Sequence, residues 1–138
     1  MKLLVAYVIG TAFAAVGFAD TVHLRNRGAE VNGTVTFSNG IFRIEAQFKK
    51  AKREILVGRD EVDELRINDR VANPEDDAPG WMLTLPQSAQ SRAGDTIRFW
   101  DEKRKEITGT LGNITEKQIS LAGEKAFDRS DVRSVIMH

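Results

Sequence analysis

Short segments in which apolar and polar residues alternate run through this chain from Val22 onward. They set the strongest limit on what it can fold into. Val22 and Leu24 alternate with polar neighbours, as do Val31, Val35 and Phe37, and then Ile44, Ala46 and Phe48. A period of two sends successive side chains to opposite faces, so each segment reads as a half-buried strand. Turn signals separate them: "NRGAE" from Asn26, "SNG" from Ser38, and the charged "KKAKRE" from Lys49. Ile55–Gly58 and Glu64–Ile67 read as a fourth and a fifth strand.

The same plan is written a second time. "DTV" at Asp20 returns as "DTI" at Asp95. Val31, Gly33 and Thr34 return as Ile107, Gly109 and Thr110. "GRDEVDEL" ends the first stretch and "DRSDVRSV" the second, so that Arg59, Val62 and Leu65 match Arg129, Val132 and Val135. Three matched clusters in the same order predict an internal duplication. Gly33 and Gly109 sit mid-strand between apolar residues, where glycine marks a sharp bend or a close backbone approach. The intervals Arg59–Val62 and Arg129–Val132 suit a single turn of 3₁₀ helix, with Ser130 as a cap for the second. Val62 and Val132 then anchor the core, while Arg59 and Arg129 stay at the rim beside neighbouring acids, where truncation is expected to be mild.

The order "DTVxL … VxGTV … IxI … RxxVxxL" resembles the Sm-like, SH3-type small barrel. That resemblance implies five short strands, a sharply bent second strand, a 3₁₀ turn between strands four and five, and assembly through those two strands. The expected architecture is therefore all-β: two tandem five-stranded SH3/Sm-like barrels, residues 20–70 and 95–138, behind an N-terminal signal peptide. The chain lacks the N-terminal helix and the Asn- and Asp-bearing loop motifs of true Sm proteins, so their uridine binding does not carry over. Fold similarity alone does not assign a function.

Residues 1–19, "MKLLVAYVIGTAFAAVGFA", have one charge, Lys2, then an apolar run ending in small residues before Asp20. This is the pattern of a secretory signal cleaved after Ala19; the alternative is a retained anchor. The expected localisation is export, to a periplasm or the medium, with no integral span after cleavage. There are no cysteines, which excludes disulfides and thiol catalysis. Lys plus Arg total 20 and Asp plus Glu 20, so loss of Lys2 leaves the chain near neutral. Neutral charge and export argue against nucleic acid as a partner.

Residues 71–94 hold all three prolines, Pro74, Pro79 and Pro86. They read as a connector, with a possible extra strand at 81–85, "WMLTL". Trp81 is expected to pack on or between the barrels. Trp100 ends the first strand of the second repeat, and the two tryptophans are candidates for an aromatic platform. The basic clusters Lys49, Lys50, Lys52, Arg53 and Lys103, Arg104, Lys105 are candidates for contact with an anionic surface. His23 and His138 lack metal-site spacing. The acids Glu75–Asp77 lack the alternation of a calcium loop, and no nucleophile motif is present. No enzyme activity, metal or cofactor is expected. The leading expectation is a protein-interaction or self-assembly module acting through barrel edge strands and the Trp81 segment. The alternative is a module binding cell-wall glycan or anionic lipid at Trp81, Trp100 and the basic clusters.

Overall fold

The computed structural model describes residues 17–71, 74–88, 94–123 and 126–138. Most of the expected signal segment lies outside the described residues. Its last three residues, Gly17–Ala19, already belong to a strand. No described helix is long and apolar enough to cross a membrane.

The described chain is all-β. Its strands are β1 (Gly17–Leu24), β2 (Glu30–Ser38), β3 (Ile41–Gln47), β4 (Lys52–Gly58), β5 (Val62–Val71), β6 (Asp95–Phe99), β7 (Ile107–Gly109), β8 (Leu111–Ile114), β9 (Gln118–Leu121), β10 (Ala126–Asp128) and β11 (Val132–Ile136). All pairings are antiparallel, and they join the strands into one curled sheet, a half-barrel. Its path runs β10-β9-β8-β2-β1-β5-β11-β6-β7, with the β3–β4 hairpin branching from β2. The alternation in β2 and β3 is real: Val31, Val35, Phe37, Phe42, Ile44 and Ala46 are buried and their neighbours face out.

Gly33 is where β2 changes partners. Asn32 and Gly33 face Thr21 and Asp20 of β1, while Gly33 through Ser38 pair with β3. A Cβ at Gly33 would lie 2.4 Å from the Glu45 carbonyl oxygen, so only glycine admits this approach. Beyond the bend β1 no longer flanks β2, and β8 takes that side at Phe37↔Ile114. In the second half the bent strand is broken outright: β7 pairs with β6 up to Gly109, and β8 pairs with β9 from Leu111.

Short 3₁₀ turns fall at Arg59–Glu61 and Arg129–Asp131, where the repeated phrase predicts them. The Val62 and Val132 amides close the turns onto the carbonyls of Arg59 and Arg129, and both valines are fully buried. Neither turn has a side-chain cap, so Ser130 lies within its turn without capping it. The turns dock alike: Arg59 N–H donates to Gly40 O and Arg129 N–H to Lys117 O, each at 2.9 Å.

The two halves share one sheet and one continuous core. They meet where β5 lies against β11, with Leu65 opposite Val135, flanked by Glu64↔Ile136 and Arg66↔Ser134, and again where β2 lies against β8. Small β units have little core of their own, and sharing one hides apolar surface that each alone would expose.

The rim position expected for Arg59 is wrong, whereas Arg129 is half-buried and lines an open hollow. Arg59 is 3% exposed, and its Nη2 donates to both carboxylate oxygens of Asp95, each at 2.7 Å, with Asp95 fully buried. Arg129 reaches back the other way and pairs with Asp20. The arginine that ends each half thus binds the aspartate that begins the other. Each aspartate also accepts the amide just past the bend of its own half: Asp20 that of Val35 at 2.9 Å, Asp95 that of Leu111 at 2.7 Å. Arg129 closes the loop by donating to the Val35 carbonyl at 2.8 Å. Burying charge is tolerated because each is paired and hydrogen-bonded.

The 81–85 segment is not a strand but part of a 3₁₀ helix, Gly80–Thr84. A strand would align Trp81, Leu83 and Leu85 on one face. A three-residue period instead aligns Met82 with Leu85; both are buried, and Leu83 is left exposed. The connector then crosses the end of β4, where Gly58 N–H donates to Pro86 O at 2.9 Å. A Cβ on Gly58 would meet Ser88 O at 2.1 Å.

Candidate functional site

The outward face of β5, β11 and β6 carries a groove of about 470 Å³, lined by Glu64, Arg66, Ile67, Asp69, Arg98, Trp100, Arg133 and Ser134. It spans the join between the halves. Its floor follows from sheet register. Ser134 pairs with Arg66 on one side and Arg98 on the other, so these three residues form one rung across three strands. Ser134 is small and buried at 4% exposure, while both arginines are exposed. Two long cationic side chains therefore flank a low polar floor.

A register shift between Val132 and Ser134 leaves Arg133 unpaired to β6. Its guanidinium lies 5.5 Å from the Trp100 ring centroid. Trp100 is 50% exposed, one of three large apolar residues so exposed among those described. At the other end Asn68, with φ 53°, makes an irregularity in β5 opposite Asp20, and its N–H donates to Asp20 Oδ1 at 3.1 Å. Asp69 follows it into the groove. Arg66 has carboxylates nearby, Glu64 at 3.5 Å and Asp69 at 3.9 Å, and Arg98 pairs with Glu106. Among the described residues Arg133 has no carboxylate partner. The lining thus sets three arginines against two acids, around an indole face open to solvent.

The residues singled out by sequence do not assemble into one site. Trp81 is half-buried against the core, with Arg27 over its ring at 5.1 Å, and does not line the groove that holds Trp100. The Lys49–Arg53 cluster meets the acidic loop, two features that sequence leaves separate. Lys49 lies 3.4 Å from Asp76, Arg53 lies 3.7 Å from Asp77, and Lys49 N–H donates to Glu75 O. Lys50 and Lys52 stay exposed. Arg104 covers buried Phe99 and half-buried Phe127, 3.9 Å from the Phe99 centroid and 5.6 Å from that of Phe127, and lies 3.8 Å from Asp131. Lys103 and Lys105 beside it are exposed. A second, more apolar hollow of about 250 Å³ lies between β2, β3 and the connector, at Val31, Gly33, Phe48, Pro74 and Met82.

Arg66, Arg98, Arg133 and Ser134 escaped sequence reasoning. Alternation does place Arg98 between Ile97 and Phe99, and Arg66 between Leu65 and Ile67, hence facing outward. What it lacks is that β5 and β6 lie one strand apart. Among the described residues no group of three His, Cys, Asp or Glu side chains could hold a metal ion.

Comparison with protein-family models, curated proteins and solved structures finds no match to this chain.

Proposed function

We propose that this chain is an exported, non-enzymatic interaction module, built as a duplicated pair of SH3/Sm-like small barrels, that binds a protein partner at the Trp100 face. The observation that carries this reading is the half-exposed Trp100 beneath Arg133 at the mouth of a groove spanning the join. Tryptophan and arginine dominate the binding energy of protein interfaces, and an indole left open to water in a chain with only two has no role in this core. The duplication is supported by the matched turns, the Leu65↔Val135 register and the reciprocal arginine–aspartate pairs.

The face is favoured over the edges named in the sequence. Edge strands β7 and β10 are three residues each. The edge strand β4 begins with the exposed charged run Lys52–Glu54, and its far end is covered by the connector. Short and charged edges resist strand addition. The basic clusters weigh less, since none of their residues lines the groove that holds Trp100.

The test is a photo-crosslinking amino acid placed at position 69, in the groove lining with Trp100 left intact, of the full chain expressed in cells. The expected result is one discrete adduct, absent when the crosslinker sits at exposed Lys103 instead. Equal labelling from both positions would refute the reading. Fractionation of the same cells checks export, and light scattering of the purified chain separates a foreign partner from self-association.

A further inference from the structure

We infer that the groove takes an acidic segment of the partner, a peptide presenting separated carboxylates among neutral residues; this rests on the interface reading above. The rung Arg66–Ser134–Arg98 supplies the anchor. Its outer Cα atoms are two strand spacings apart, roughly 9 to 10 Å. A carboxylate placed over the buried Ser134 has an arginine on either side and shares each with the acids already paired to it, Glu64 and Asp69 for Arg66 and Glu106 for Arg98. Guanidinium forks match carboxylates in planarity and charge. Arg133 adds a third cation, free of any carboxylate among the described residues, and the exposed part of Trp100 that Arg133 leaves uncovered takes an apolar neighbour of the bound acid.

The acids in the groove choose between kinds of anion. Glu64 and Asp69 stand in the same lining as the arginines. They repel a continuous run of negative charge such as a polyphosphate chain or an anionic lipid surface. A peptide can set its carboxylates at the arginines and neutral residues at Glu64 and Asp69. Strand addition is closed here, because β5, β11 and β6 are each paired on both sides. Recognition therefore falls to side chains, and the mixed signs give it a fixed register.

The experiment uses the full chain with Trp81→Phe, so that Trp100 fluorescence is the only indole signal. The probes are a short acetylated peptide with glutamates separated by neutral residues, the same peptide with glutamine throughout, and inorganic polyphosphate. The expected result is saturable change with the glutamate peptide, weakening steeply with salt, and none with the glutamine peptide. Arg98→Gln and Arg133→Gln, each confirmed folded by circular dichroism, should weaken binding about tenfold or more. Unchanged affinity in both variants, or polyphosphate binding more tightly than the peptide, would overturn the inference. A position-69 crosslink that survives Arg66→Gln, Arg98→Gln and Arg133→Gln together would overturn the acidic segment alone. Absence of any crosslink would overturn the interface itself.

Discussion

Arg59→Met is the most informative single perturbation of this fold. It keeps the aliphatic stem and deletes the guanidinium that reaches Asp95, a residue with no solvent exposure. At the 2.7 Å separation of Nη2 and the carboxylate oxygens, the gross attraction is about 6 kcal/mol for an effective dielectric near 20. Desolvation offsets much of it in the intact pair. Removing one partner is different, because Asp95 is then left buried with the Leu111 amide and no counter-ion. Such truncations cost about 3 to 5 kcal/mol. For a chain this size that is a fall in Tm of about 10 to 20 °C. The control is Arg43→Met: Arg43 and Glu54 are both more than half exposed at 3.5 Å, and such a pair contributes about 0 to 1 kcal/mol. Asp95→Asn added to Arg59→Met removes the stranded charge and keeps an acceptor for Leu111 N–H, so the double variant should recover at least about 1 kcal/mol. Thermal and urea unfolding followed by circular dichroism measure all four proteins. If Arg59→Met falls no further than Arg43→Met, the pair does not hold the halves together.

Other expectations follow from the same geometry. Arg129→Met should cost less than Arg59→Met but more than Arg43→Met, because Asp20 keeps the Val35 and Asn68 amides; urea midpoints give the order. Gly33→Ala forces a Cβ against backbone at Glu45, whereas Gly109→Ala meets only the flexible end of Leu121 at 2.9 Å. The first should cost about 2 kcal/mol or more and the second clearly less, read as the difference in Tm. Val62→Asp or Val132→Asp buries an unpaired charge in a fully packed position and should abolish cooperative unfolding. Gly58→Ala, which clashes with Ser88, should detach the connector locally. Hydrogen exchange at the Gly58 amide should accelerate while amides of β1 and β5 stay protected.

The sequence by itself determined most of the strands, their buried faces and the two 3₁₀ turns, because these depend on periodicity and local spacing, but not the 3₁₀ helix at Gly80–Thr84, the start of β1 at Gly17 or the break between β7 and β8. Val62 and Val132 could be placed in the core from "RDEVDEL" and "RSDVRSV" alone. It also shows a phrase that recurs, at Arg59–Leu65 and Arg129–Val135. It could not show what the repetition is for. An arginine beside aspartate and glutamate reads as a solvated rim residue, and only the pairing of β5 with β11 carries Arg59 to Asp95 and Arg129 to Asp20. Those partners are 36 and 109 residues away, beyond any local pattern. The groove was hidden for the same reason: Arg66, Ser134 and Arg98 belong to three strands whose adjacency is set by closure of the sheet. Local chemistry chose the elements. The burial shared between two halves too small to bury their own surfaces decided which of them meet.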